Sequence, residues 1–391
     1  MLAICSSSLA IIQNKYGQFS DIRGFYGLHF ADGQHHWPFS THTLIGSSEP
    51  IHAVEYPVLT GLIMWFFSFF IEPSQFGWLY YFRLTAIFQA VVFALTVASI
   101  NKLVGRKYSM IFAVTPAVLY SLNRNWDIWA ILPMILTILY YEKKKYRTSA
   151  ILLAISIATK FFPLVLLFPI AIKAYREENF NHFVKFTKDT LVFWATINVP
   201  IALTNFEGWA YFYTFNFKRG LGSASVWDIS SRLGIPIPNS NSLYILLNVA
   251  IFILVGLFLL KIKEPLSIKN SAYFVMFAFM LFGKQYSMQY VIWLAALALI
   301  TIENLEKSKQ KATLLAYIFW QASELLFQYS FFQNILTNTY ANTETPAKPQ
   351  ISSTFYGLSG LFRYLMISGF TILLASYFVT KPNQSHGIIK K

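Results

Sequence analysis

Cysteine is all but missing. Cys5 is the only one in 391 residues, so neither an intrachain disulfide nor a cysteine-built metal centre is possible. Charge is scarce too, at 12% of residues against about 25% in a soluble domain. Acidic residues are the rarer kind, 17 against 31 Lys and Arg, giving a net charge of +14. No phosphate-cradling glycine loop, dinucleotide fingerprint or zinc motif occurs. Low-complexity runs, domain linkers and transporter-like internal repeats are lacking as well.

What is present is apolar. Hydrophobic residues make up 55% and aromatics 18%, and mean hydropathy is +0.48. This is the composition of an integral membrane protein, a single membrane domain over 1–391. The excess positive charge lies in short clusters between apolar runs, which argues against nucleic acid as a partner and for loops facing anionic lipid.

Eleven apolar stretches read as spans: 78–101, 108–123, 127–141, 148–159, 161–174, 189–204, 242–260, 271–283, 286–302, 312–330 and 355–379. With that register most basic clusters fall on one side. They include Lys102, Arg106 and Lys107, then Lys143–Lys145 with Arg147, and later Lys307, Lys309 and Lys311. That side reads as cytoplasmic. The other receives three long loops, 13–77, 205–241 and 331–354. Leu2 to Ile12 is apolar but too short to span, and reads as the remnant of a first helix. Tyr56 to Ile71 is better placed in the interface than across the membrane, because a crossing there would flip every later basic cluster.

The first long polar loop holds five of the seven histidines, His29, His35, His36, His42 and His52. Their spacing fits no standard metal site, so no metal is expected. Asp21 lies early in this loop with Arg23 two residues on. An acid at that depth reads either as a general base for an acceptor hydroxyl or as an ordinary loop carboxylate paired with arginine. Glu55 and Tyr56 precede the apolar stretch 58–71, and Glu55 is either a second acid or a helix cap.

Charged residues at helix ends on this side are candidates for binding an anion. They are Arg23, Arg83, Arg124, Lys160, Lys218, Arg219 and Lys284, with Asp127 beside Arg124 as a further candidate substrate contact. Cations converging on one cavity suit a lipid-linked phosphate, whereas separate ones merely snorkel to the interface. Gln321, Glu324 and Gln328 share one helix face and are expected to satisfy one another.

Several short strings occur in a fixed order. They are Ser20-Asp21-Ile22, Glu55-Tyr56-Pro57-Val58-Leu59-Thr60-Gly61, Asn125-Trp126-Asp127, Ala158-Thr159-Lys160 with Pro163-Leu164, Phe215-Asn216-Phe217-Lys218-Arg219-Gly220, and Tyr286-Ser287 with Gln289-Tyr290. In this order they resemble glycosyltransferase family 87, the polyprenol-phosphate-mannose-dependent membrane mannosyltransferases, over roughly Ser20 to Ile300. The chain departs from that family in its short first apolar segment and its histidine-rich loop.

The resemblance implies an all-α polytopic membrane protein of GT-C type, a bundle of about 11–12 transmembrane helices with interfacial helices in the first outer loop. It implies Asp21 as the catalytic acid. The expected activity is sugar transfer, on this likeness mannose, from a polyprenyl phosphate to a lipid or glycan acceptor at the outer face of the plasma membrane. Transfer would be by inverting single displacement without a cofactor. The alternatives are a transporter or lipid flippase, or a non-catalytic relative.

Overall fold

The computed structural model describes residues 20–44, 48–235, 237, 241–340 and 351–379. Leu2–Ile12 lies outside them. The described chain is all helical, apart from one antiparallel bridge between His42 and Ile51. The first loop contributes two short helices, α1 (Asp21–His29) and α2 (Val58–Ser68). The bundle follows as α3 (Gly77–Val114), α4 (Pro116–Ser121), α5 (Asp127–Glu142), α6 (Tyr146–Thr159), α7 (Leu167–Arg176) and α8 (Phe180–Thr204). A second loop carries α9 (Phe206–Lys218) and α10 (Val226–Arg232). The chain continues through α11 (Asn241–Lys261), α12 (Ile268–Leu281), α13 (Tyr290–Glu303), α14 (Lys307–Tyr340) and α15 (Ser353–Val379).

Each expected span falls on a helix. Among the described residues three helices are long and apolar enough to cross a membrane, namely α3, α11 and α15. α3 is two helices. Gly105 has φ 76° and ψ 174°, a conformation that suits glycine, and the chain turns back there. The ring of Phe93 consequently meets that of Phe112 at 5.5 Å, whereas a straight helix would hold them about 28 Å apart. This recovers the two expected spans 78–101 and 108–123, the second bent again at Thr115–Pro116.

Stretch 56–71 forms α2 and does not span. Its 11 residues reach only about 16 Å, roughly half of a hydrocarbon core. α2 is fastened sideways: Tyr81 Oη donates to the Met64 carbonyl at 3.1 Å, and Thr60 Oγ1 donates to the Thr159 carbonyl at 2.6 Å. Residues 331–340, expected in a loop, instead prolong α14 to Tyr340, because Phe331 and Phe332 find buried aromatic partners.

The core is built on α13, apolar on every side and buried from Val291 to Ile302 among α3, α4, α5, α12 and α14. α5 and α6 approach closely through the small residues Ser149, Ala150, Ala154 and Ser156, which let helices meet without a hydrophobic driving force. Ser149 and Ser156 also donate to the carbonyls of Thr137 and Ala130. α11 lies at the periphery with only Gly256 and Leu259 buried.

The basic clusters do share one end. Tyr108 donates to Gln310, Arg176 to the Lys263 carbonyl, and Lys269 N–H to Glu142, while Lys309 stands over the Tyr377 ring. The loops bearing Asp21, Lys160, Arg219 and Lys284 converge at the other end.

α6 stops at Thr159, and Lys160 is extended (φ −149°, ψ 137°) before a short 3-10 turn at Phe162–Leu166. From the basic end, 14 helical residues climb only about 21 Å of a core about 30 Å thick. Lys160 is therefore recessed within the bundle.

Candidate active site

α1 is tied by its first residues to the turn before α5. The Asp21 amide donates to the Arg124 carbonyl at 3.0 Å, and Ser20 Oγ to the Asn123 carbonyl at 2.9 Å. The same turn presents Asn125, whose Nδ2 donates to the Asp21 carboxylate at 2.6 Å and to Tyr56 Oη at 2.8 Å. Asn125 Oδ1 accepts from the Trp126 amide at 2.6 Å and from Lys160 Nζ at 3.4 Å. Gln89, buried on α3, holds the Asn125 carbonyl at 2.8 Å. Lys160 Nζ also pairs with Asp127 at 2.6 Å and stands 5.0 Å from the Tyr56 ring. Asn125 thus links Asp21, Tyr56 and Lys160. It appears in the motif Asn125-Trp126-Asp127, but only the fold shows that it is the hub.

These groups line one cavity of about 850 Å3. Asp21, Glu55, Tyr56, Arg124, Asn125, Lys160, Arg219 and Lys284 give it polar character. Phe25, Phe161, Phe162, Tyr211, Phe212, Tyr244, Tyr290, Phe331 and Phe332 give it aromatic walls. A largely apolar hollow with a few convergent polar groups is the usual form of a small-molecule site.

Burial pushes the Asp21 carboxyl above the usual carboxylate range. The Asn125 hydrogen bond and the Lys160 ammonium oppose this, and the Asp127 charge adds to it. Burial raises Glu55 as well, against the pull of Arg219 and with a push from Asp21. Asp21 is thereby a stronger base than a solvated aspartate while remaining positioned by a donor. Arg124 is lowered by burial to about 10 and is still a cation at neutral pH. Its guanidinium packs 3.6 Å from the Phe332 ring and 4.8 Å from that of Tyr120.

The remaining candidates divide. Arg219 lines the cavity, and its guanidinium has no ion pair among the described residues. Lys284 lines it too, but its ammonium is also a staple, donating to the carbonyls of Phe217 and Arg219 at 2.9 and 3.0 Å. Asp127 lies behind Lys160 and is outside the lining. Arg23 packs over the Trp78 ring at 4.2 Å, and Arg83 and Lys218 are exposed; none of the three lines the cavity.

Three of the loop's histidines pile on one another, while His35 stacks on Phe69 and His52 on Tyr211. His36 stacks on His42 at 4.2 Å and bonds Asp32 at 2.8 Å, and His29 lies 5.4 Å from His42. Among the described residues no group of three His, Cys, Asp or Glu has the geometry to hold a metal. Burial lowers His29 to about 3, with His42 and His36 adding to the effect, so this ring is neutral at physiological pH.

Gln321, Glu324 and Gln328 do not satisfy one another. Glu324 accepts from Trp320 and Tyr286, and Gln328 donates to Ser121. Trp320 is one turn away on the same helix, Tyr286 and Ser121 lie on other segments, and the side-chain amide of Gln321 has no hydrogen-bond partner among the described residues.

No family model matches the chain, and no curated protein does. Among solved structures, the crystal structure of ArnT from Cupriavidus metallidurans bound to undecaprenyl phosphate is similar, with 12% identity and a TM-score of 0.41. The match covers 83% of this chain and 67% of that one. A likeness of that degree defines neither reaction nor substrate. The resemblance to glycosyltransferase family 87 rests on the motifs alone.

Proposed function

We propose that this chain is a GT-C-type membrane glycosyltransferase that moves a sugar from a polyprenyl phosphate to a hydroxyl of a lipid or glycan acceptor. The observation that carries this reading is a carboxylate with a raised pKa, Asp21, that is oriented by Asn125 and faces the same aromatic-walled cavity as Lys160, Arg219 and Lys284. Asp21 takes the acceptor's O–H proton as that oxygen bonds to the anomeric carbon. The bond from that carbon to the phosphate oxygen breaks, and the polyprenyl phosphate leaves with the electron pair. Negative charge develops on the phosphate, so the group it requires is a fixed cation, which Lys160 and Arg219 supply. A single displacement inverts the sugar carbon, and this charge balance calls for no metal. The motif resemblance favours mannose. The basic clusters at the opposite end favour a site on the outer face of the plasma membrane.

A transporter or flippase requires charged groups along a path to both ends. The ion pair of Arg363 with Glu324 is sealed in the bundle and does not line the cavity.

The test is incubation of purified protein with labelled polyprenyl-phosphate-mannose and a pool of lipid and glycan acceptors. Labelled product of inverted configuration is expected, and it should vanish in Asp21→Asn. Absence of transfer from any polyprenyl-phosphate sugar, or full transfer by Asp21→Asn, would overturn the reading.

A further inference from the structure

Arg363 lies in the middle of α15 and is fully buried. A charge inside an apolar helix is costly and marks a place where it is used. The guanidinium is held between the rings of Phe327 at 3.8 Å and Tyr286 at 4.1 Å. It donates to the carbonyl of Ala224 at 2.5 Å and to that of Tyr286 at 3.4 Å, and Glu324 on α14 faces it at 3.9 Å. Arg363 does not itself line the cavity, but what it grips does. Ser223 and Ala224 line one part, and Gln285 and Ser287, on either side of Tyr286, line another.

Ala224 has φ +64°, a left-handed conformation that an L-residue keeps only when its surroundings hold it. Its N–H donates to Asp228 Oδ2 at 2.9 Å and to Tyr356 Oη at 3.2 Å. Both backbone groups of Ala224 are therefore held by side chains of α15, Tyr356 on one and Arg363 on the other. The preceding residues are pinned by Lys284, whose carbonyl accepts the Gly222 N–H at 2.7 Å and whose ammonium holds the carbonyls of Phe217 and Arg219. Arg219 thus sits on a short segment clamped at both ends.

We infer that Arg363 is a positioning residue. By locking Ala224 to the Tyr286 backbone, it fixes the segment that aims Arg219 at the donor phosphate. The inference rests on the polyprenyl-phosphate reading of the cavity, and its test separates the two.

The double variant Arg363→Met/Glu324→Gln removes both charges and leaves neither buried alone. Three quantities are read on purified protein: the rate of trypsin cleavage after Lys218 and Arg219, the affinity for polyprenyl phosphate, and donor KM against kcat. Cleavage is expected to quicken and affinity to weaken, each by about tenfold or more, with KM rising more than kcat falls. Arg363→Lys, which keeps the charge and one donor, recovers part of each. Unchanged cleavage and affinity in a folded double variant would overturn the role. Should the double variant not fold, the same two measurements on Arg363→Lys decide it, wild-type values again overturning the role. Faster cleavage alongside a wild-type protein that binds no polyprenyl phosphate would sink the donor reading and leave the clamp standing.

Discussion

Asn125 Nδ2 lies 2.6 Å from the carboxylate of Asp21, 104 positions away along the chain. The same amide nitrogen reaches Tyr56, and the amide oxygen reaches Lys160, so one side chain orients the base, an aromatic wall and a cation together.

Asn125→Ala should therefore do more than remove one bond. Turnover is expected to fall by about 100-fold, and stability by about 1–3 kcal/mol for the buried groups left unpaired. The acid limb of the pH–rate profile should shift to higher pH, because the contact that most lowers the Asp21 pKa is gone. Initial rates across pH, with a thermal melt, check all three effects. An unmoved acid limb would exclude Asp21 as the titrating group.

Asp21→Asn is expected to lose turnover by about 100- to 10,000-fold without losing stability. The sign follows from the raised pKa: the folded state favours the protonated form, so the native carboxyl's contribution is full at low pH and is lost as pH rises through its folded pKa. The variant should melt no lower than wild type at pH 7, and the two should converge near pH 3. A lower melting temperature for the variant at pH 7 contradicts this.

Lys160 and Asp127 form a pair in which Asp127 is only 1% exposed. Lys160→Met strands that carboxylate and should cost about 3–5 kcal/mol. Adding Asp127→Leu should restore most of the stability but none of the donor binding. Melting curves and polyprenyl phosphate titrations on the two variants distinguish packing from recognition.

His29 is neutral in the fold, with a pKa of about 3 against 6.5 when solvated. The unfolded chain takes up a proton below about pH 6.5 that the folded chain refuses, so stability should decline as pH falls from 6.5 towards 3. Its Nδ1 has no hydrogen-bond partner among the described residues and its ring stacks on Phe25 at 4.5 Å, so Phe keeps the ring contact and removes the titrating group. His29→Phe should flatten the acid decline while leaving the melt at pH 8 within a few degrees. Equal acid sensitivity in both proteins refutes it.

Much of the helical layout was legible from hydropathy and charge. Basic clusters set the register, the shortness of 56–71 set α2 in place, and Lys160 stood out between two short apolar runs. Partnership was not legible. Arg23, Arg83, Lys218, Arg219 and Lys284 are alike as charges near helix ends, and only packing decides which of them turns inward. Asn125 carries no charge and gave no electrostatic signal. Arg363 was not singled out in the sequence, and its partner Ala224 lies 139 residues earlier, beyond the reach of any periodicity. The expected loop at 331–340 became helix because the benefit of burying Phe331 and Phe332 outweighs local polarity.

The shortness of α6 has a last consequence. On the proposed reading, a phosphate that meets Lys160 meets an ammonium whose side chain is only 14% exposed. A partly buried ammonium is screened less than an exposed one, so raising the ionic strength severalfold should loosen that grip less than it loosens the hold of the exposed lysines at the opposite end on anionic lipid.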